Sequence, residues 1–188
     1  MDMSKDNPST HERLPGDLHP KELVKRFVRV DHAGEYGAKR IYAGQLSVLG
    51  KGEHGPILRH MAEQEEKHLK YFENAIGDRG VRPTALLPVW HAAGFALGAA
   101  TALMGPRAAM ACTVAVEEAI DEHYQGQLDA LSPEEAPLKE AIEEFRAEEL
   151  EHRDIGLERE AELAPGYDIL THIIKRGSKM AIWLSERV

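Results

Sequence analysis

The chain has 188 residues, of which 43% are hydrophobic and 29% are charged, a balance typical of a globular domain with a sizeable core. With 32 acidic against 23 basic residues, the net charge of −9 argues against a general nucleic-acid binder, because such a protein needs a basic face. The single cysteine, Cys112, excludes an intrachain disulfide framework and a cysteine-rich zinc or iron–sulfur site.

The first 19 residues contain acids and prolines but no apolar core, unlike a secretory signal or an Arg-rich transit peptide. We therefore predict a flexible tail over residues 1–19 and one domain over residues 20–188. In that domain Ala, Leu, Glu and Lys are common, whereas the β-branched residues that favour strands are sparse.

Proline and glycine divide the rest of the chain into six segments with helical patterns. The predicted helices cover about 20–50, 57–76, 83–105, 106–131, 133–164 and 167–188. No run of alternating apolar and polar residues is long enough for a sheet. The predicted fold is therefore all-α, and a helical bundle is the expected architecture.

Charge is distributed unevenly over these segments. No Asp, Glu, Lys or Arg occurs in the 24 residues between Arg82 and Arg107. Residues 117–162 contain 17 acids and 4 bases, whereas residues 165–188 contain 2 acids and 4 bases. The acidic region is either a solvated surface or a cation site, and the uncharged one is either deeply buried or meets lipid.

Two parts of the chain resemble each other, which indicates a duplicated helical hairpin. Residues 35–46 align with residues 117–128 at a constant shift of 82 positions. About 30 residues after the first Glu of each part comes a Glu-x-x-His motif. The pattern selects six residues on helices one, two, four and five: Glu35, Glu65, His68, Glu117, Glu149 and His152.

These six residues fall within the apolar stripes of their helices, where core residues are expected. Four buried carboxylates would repel one another unless they are protonated or neutralised by cations. Two divalent ions supply the required charge, and the i, i+3 spacing lets Glu and His of one motif reach one ion. Carboxylate and imidazole ligands without thiolate favour iron or manganese over structural zinc. The alternative is that all six are ordinary exposed residues of amphipathic helices.

The stripe and the shift of 82 both select Glu117 rather than its neighbour Glu118. Glu118 shares a helix face with Glu122, Gln125 and Asp129, which indicates a solvated surface.

Longer motifs resemble the demethoxyubiquinone hydroxylases of ubiquinone biosynthesis, a ferritin-like di-iron family, over nearly the whole chain from about Leu23. The stretches that carry the resemblance are RVDHAGEYGA from Arg29, IYAGQ from Ile41, QEEKHL from Gln64, FALGA from Phe95, AMACTVAVEE from Ala109, EELEH from Glu148, DIG from Asp154 and LSER from Leu184.

The resemblance implies a ferritin-like four-helix bundle with two additional membrane-associating helices and two iron ions per chain. By this resemblance, Glu35, Glu65 and His68 hold one iron, Glu117, Glu149 and His152 hold the other, and Glu65 and Glu149 bridge both. The implied reaction uses O2 to hydroxylate the ring of a demethoxy polyprenyl benzoquinol, with electrons from a donor that the sequence does not identify.

Three further polar residues accompany these ligands. His123 and Tyr124 follow Glu117 and are candidates for a proton or electron relay, although a surface His and a core Tyr are equally good interpretations. Asp31, one turn before Glu35, is a candidate hydrogen-bond partner of a ligand imidazole, or an acid that interacts with the helix dipole.

The uncharged third helix and the basic amphipathic sixth helix suit a lipid-tailed substrate and a membrane surface. We expect lipid contact at Leu97 and Ile174, and a peripheral location on the cytoplasmic face of a bacterial inner membrane, or on the mitochondrial inner membrane in a eukaryote. A homo-oligomer or an accessory lipid-binding protein are further possible partners; both helices could instead be core or a dimer interface. The alternative functions are a ferritin-like iron-storage subunit and a non-enzymatic membrane-associated scaffold.

Overall fold

The computed structural model describes residues 18–188, and all regular structure in that range is helical. The all-α prediction is therefore confirmed. The predicted tail, residues 1–19, lies outside the described residues except for its last two. The six long helices are α1 (Pro20–Leu49), α2 (Gly55–Arg79), α3 (Leu87–Leu103), α4 (Pro106–Ala130), α5 (Ala136–Glu158) and α6 (Tyr167–Ser185).

Local sequence explains most helix boundaries. Proline lies in the first turn of α1 to α5, where its missing N–H has no helical partner to lose. Before α1, Nδ1 of His19 accepts a hydrogen bond from the backbone N–H of Lys21 at 3.3 Å. Gly80 ends α2 with a φ of 59°, a left-handed conformation that glycine adopts without steric cost.

Helix α5 is shorter than predicted, because the chain leaves the helix at Glu158 rather than near Ala164. Glu160 takes a left-handed conformation with a φ of 62°, and its carboxylate accepts two hydrogen bonds from Arg107. A short 3₁₀ turn, Ala161–Leu163, then brings Ala161 and Ala164 into the core. Helix α6 begins shortly after this turn, at Tyr167.

Helices α1, α2, α4 and α5 form the central bundle, and α3 and α6 pack on its outside. Two glycines of α3 meet α1: a side chain at Gly94 or Gly98 would collide with the backbone of α1, and one at Gly44 of α1 would collide with α3. Glycine on both helices therefore lets the two backbones approach closely.

Helix α6 is attached to α4 by its buried face and by ion pairs. Ile174 is only 5% exposed and packs in the core, so the expected lipid contact at this residue is wrong. Leu97 also packs against the core rather than projecting freely. Among residues 18–188, no helix combines the length and apolarity required to cross a membrane.

Candidate metal centre

The six residues selected by the duplicated motif meet in the centre of the bundle, and the side chain of each is buried. Helix α1 contributes Glu35, α2 contributes Glu65 and His68, α4 contributes Glu117, and α5 contributes Glu149 and His152. Helices α2 and α5 each insert a Glu and a His into an otherwise apolar face because the i, i+3 spacing keeps both on one side, whereas α1 and α4 each insert a single Glu.

Their ligand atoms form two overlapping groups, each of which could hold a metal ion. Glu35, Glu65, His68 and Glu149 form the first group, and Glu65, Glu117, Glu149 and His152 form the second. Within a group, one ligand atom from each residue lies within 4.8 Å of the others. Glu65 and Glu149 belong to both groups, so two ions would share these carboxylates.

The polar atoms that face the centre are without hydrogen-bond partners among the residues that the structure describes. These atoms are Oε2 of Glu35, both carboxylate oxygens of Glu65, Nδ1 of His68, Oε2 of Glu117, both carboxylate oxygens of Glu149, and Nδ1 of His152. Leaving so many buried polar atoms unpaired is strongly unfavourable. Coordination of divalent cations would satisfy all of them, so this donor set fits a pair of metal ions.

The protonation states reflect this crowding. Burial and the charges of Glu149 and Glu35 raise the pKa of Glu65 well above its ordinary value, and burial with Glu149 and Glu65 does the same for Glu117. Burial also opposes ionisation of Glu149, but the adjacent imidazoles of His152 and His68, with Nδ1 atoms 3.3 and 3.2 Å from its oxygens, outweigh it and lower the pKa of Glu149 to about 2. Without bound cations, the cluster therefore limits its own negative charge by holding protons.

Each imidazole is oriented by a residue that the motif analysis did not select. Nε2 of His68 lies 2.5 Å from Oε2 of Glu148, and Nε2 of His152 lies 2.9 Å from Oε1 of Gln64. These contacts turn both Nδ1 atoms towards the centre, and such outer partners fix ligand orientation. Gln64 and Glu148 each immediately precede the Glu of a Glu-x-x-His motif. These equivalent positions in the duplicated sequence could have identified both residues as partners of the imidazoles.

Two tyrosines connect the halves of the duplication. The Tyr42 hydroxyl donates to Oε1 of Glu117 at 2.9 Å, and the Tyr124 hydroxyl donates to Oε1 of Glu35. Burial and the neighbouring glutamates raise the pKa of both hydroxyls well above the ordinary value, so both remain protonated donors. Each tyrosine thus fixes one oxygen of the glutamate in the opposite half.

Asp31 and His123 contact each other rather than the ligands. Nε2 of His123 lies 3.0 Å from Oδ1 of Asp31, so the expected bond between Asp31 and a ligand imidazole is wrong. In the described part of the chain, no hydrogen bond joins His123 to Tyr124, whose ring centroid is 6.1 Å away. The Tyr124 hydroxyl instead reaches Glu35 directly.

A family model described as "Ubiquinone biosynthesis protein COQ7" matches residues 22–185. The chain belongs to the COQ7 family. This result confirms the resemblance found in the sequence motifs.

Relatives from bacteria and mitochondria agree with the COQ7 assignment. A Rhodospirillum rubrum protein named 3-demethoxyubiquinol 3-hydroxylase is 58% identical over 181 residues, which cover 96% of this chain and 85% of the relative. Mitochondrial proteins named NADPH-dependent 3-demethoxyubiquinone 3-hydroxylase from Bos taurus and Homo sapiens are 55% and 54% identical over 172 residues. Those matches cover 89% of this chain and 79% of each relative.

Metal loading should release protons. Because burial and the neighbouring carboxylates raise the pKa of Glu65 and of Glu117, and so favour their protonated forms, divalent ions must displace protons from these carboxyls in order to bind. We expect about two or more protons per chain to be released on anaerobic Fe(II) addition. A pH indicator in weak buffer measures the release, and the apparent affinity should fall as the pH falls. Binding with no proton release and no pH dependence would contradict this account.

Proposed function

We propose that this COQ7-family chain is an O2-dependent 3-demethoxyubiquinol 3-hydroxylase with two iron ions. The observation that carries the proposal is the pair of overlapping carboxylate–imidazole groups whose inward atoms are unpaired. Family membership and the names of the relatives favour this activity over iron storage or a non-enzymatic scaffold. When bound, the iron supplies the redox chemistry that allows one atom of O2 to enter the quinol ring.

The proposed ligand assignment follows the two groups. Glu35, Glu65 and His68 hold one ion, Glu117, Glu149 and His152 hold the other, and Glu65 and Glu149 bridge them. Four carboxylates then balance the charge of two divalent ions, which removes the cost of burying unpaired acids. Within the first and second groups, Glu35 and Glu117 are the unshared carboxylates.

An apolar cavity between the central bundle and its two outer helices suits the lipid tail of the proposed substrate. Its volume is about 310 Å³, and α1, α3, α4 and α6 line it. Gly34 and Val116, the residues immediately before Glu35 and Glu117, are both in its wall. The apolar walls would keep water away from a tail held in this cavity.

Glycines in the cavity wall support binding of a ligand there. Gly34, Gly37 and Gly177 lie inside helices and line the cavity, and a side chain on any of them would meet nothing within 4 Å. Glycine destabilises a helix interior relative to alanine, and close packing against protein does not explain these three. Their missing side chains leave the cavity open to a bulky apolar ligand.

His123 and Tyr124 are the proposed relay residues. Tyr124 is supported by its hydrogen bond to Glu35, which places its hydroxyl at an unshared ligand. His123 is supported by its position at the edge of the bundle, where its side chain retains 15% exposure. Hydroxylation with O2 also consumes two electrons, so a donor is required; the mammalian relatives are named NADPH-dependent.

A stripe on α6 supports peripheral association with a membrane. Ile169, Ile173, Met180 and Trp183 are exposed on α6 at helical spacing, with Arg176 between them. An exposed apolar stripe that contains cations is typical of a helix lying at an anionic lipid surface. We place the protein at the cytoplasmic face of a bacterial inner membrane, or at the mitochondrial inner membrane if it is eukaryotic. The same stripe is also available to a second copy or to an accessory lipid-binding protein.

Glu117→Gln should abolish hydroxylation, because an amide cannot replace an anionic ligand. We expect turnover to fall by more than about 100-fold, since even indirect ligand partners change metal affinity about 10- to 100-fold. Glu118→Gln is the matched control: its carboxylate pairs with Lys175 at the surface and is 41% exposed. In the Glu118→Gln control, iron content and quinol turnover should remain close to those of the unmodified chain. If Glu118→Gln abolished hydroxylation and Glu117→Gln did not, Glu118 rather than Glu117 would be the residue that faces the metal centre.

Gly177→Leu should fill the cavity from α6, far in sequence from the proposed ligands. We expect iron binding to persist while activity on a long-tailed quinol falls by roughly tenfold or more; a short, water-soluble analogue should still react. Gly126→Leu is the control, because Gly126 is also an open helical glycine but lies outside the cavity. Equal activity of both variants on the long-tailed quinol would exclude this cavity as the tail site.

Ile173→Glu should weaken binding to anionic liposomes, because this side chain is 64% exposed on the proposed lipid-facing stripe. Losing the burial of one isoleucine removes about 2 kcal/mol of transfer free energy, or roughly 30-fold in binding. Leu157→Glu places the same charge at an exposed leucine on α5 and should bind normally. Liposome co-sedimentation compares the two variants, and equal binding would show that α6 does not contact lipid.

A further inference from the structure

A polar cluster joins α1 to α4 at one side of the metal centre. Oδ1 of Asp31 accepts a hydrogen bond from Nε2 of Gln127 at 2.6 Å and lies 3.0 Å from Nε2 of His123. The carboxyl of Asp31 is completely buried, whereas the imidazole of His123 reaches the edge of the bundle. The cluster therefore extends from a partly exposed ring to a buried acid.

The duplicated half of the chain shows that packing does not require these ionisable groups. The shift of 82 aligns Asp31 with Thr113, Ile41 with His123, and Gln45 with Gln127. On the second side, Nε2 of Gln45 donates to the backbone oxygen of Ala109 at 3.1 Å and approaches Oγ1 of Thr113 at 3.4 Å. A neutral threonine thus replaces the acid, and an isoleucine replaces the imidazole.

The cluster that contains the ionisable residues Asp31 and His123 lies on the same side of the metal centre as Glu35. Asp31 is one helical turn before Glu35, a rise of about 6 Å along the same face of α1. Tyr124, which donates to Glu35, is the neighbour of His123 in α4. Oδ2 of Asp31 has no hydrogen-bond partner within residues 18–188, and neither has Oε2 of Glu35.

We propose that Asp31 and His123 form a proton-exchanging pair that connects solvent to the Glu35 side of the metal centre. This inference rests on the proposed function, because reduction of O2 during hydroxylation consumes protons in a buried site. A solvent proton binds Nδ1 of His123 while the Nε2 proton passes to Oδ1 of Asp31, which leaves a neutral ring and a neutral acid. Asp31 then releases its carboxylic proton to water on the Glu35 side of the centre and becomes a carboxylate again.

The chemistry of Asp31 supports this role. Burial raises its pKa above the ordinary value, although hydrogen bonds from His123 and Gln127 oppose the increase. Burial favours the protonated acid and the two hydrogen bonds favour the carboxylate, so neither form of Asp31 is stabilised by all of its surroundings.

Asp31→Asn tests the pair, because asparagine retains the shape and the bond from Gln127 but cannot carry the proton. We expect normal iron content, turnover reduced by roughly 100-fold, and a larger solvent deuterium isotope effect. Thr113→Val, the matched variant in the other half, should leave the isotope effect unchanged. In the diamagnetic Zn(II)-loaded protein, NMR should show slower solvent exchange of the His123 ring proton in Asp31→Asn.

A second variant maintains the test if Asp31→Asn loses iron or unfolds. His123→Ala should turn over slowly. Imidazole added to the buffer should raise the turnover rate of this variant at least about tenfold. Absence of rescue, or Asp31→Asn with unchanged turnover, isotope effect and ring-proton exchange, would show that the cluster is only a structural cross-link. If the unmodified chain fails to hydroxylate the quinol, the proposed function fails instead, and the Zn(II) exchange measurement still decides whether the pair exchanges protons.

Discussion

The structure depends on burying four carboxylates and two imidazoles in the centre of a small helical bundle. An apolar core of the same volume would be more favourable for folding alone, because each buried charge must recover its lost hydration. Cations at the two overlapping groups would satisfy the inward atoms. The outward atoms are satisfied by protein: Tyr42 and Tyr124 bind the unshared glutamates, while Gln64 and Glu148 contact the imidazoles. The centre is therefore built in two layers, and only the inner layer is left for metal.

These outer contacts cross between the two halves of the duplication. Tyr42 of the first half binds Glu117 of the second, and Tyr124 of the second binds Glu35 of the first. In the same way, Gln64 of the first half contacts His152 of the second, and Glu148 of the second half contacts His68 of the first. Neither hairpin thus completes its own half of the centre, so a correctly formed site requires both hairpins to dock.

The fold class and the six central residues could be predicted because they follow local rules. Helix periodicity, proline and glycine positions and the i, i+3 spacing all act within one helix, so the sequence contains them directly. Contacts between helices could not be read in the same way. Asp31 was expected beside a ligand imidazole but meets His123, a pairing set by how α1 crosses α4. Ile174 was expected at the lipid surface, but it lies on the face of α6 that packs into the core.

The two outer walls of the apolar cavity differ in how firmly they are attached. Helix α3 is held against α1 by direct backbone contact at glycines, which leaves no intervening side chains to readjust. Helix α6 is held partly by Lys175 and Lys179, which pair with Glu118 and Glu122 on α4 at the surface. Such exposed pairs contribute little and weaken with ionic strength. The cavity thus has one rigid wall and one compliant wall, and its width is set mainly by the helix that also carries the exposed apolar stripe.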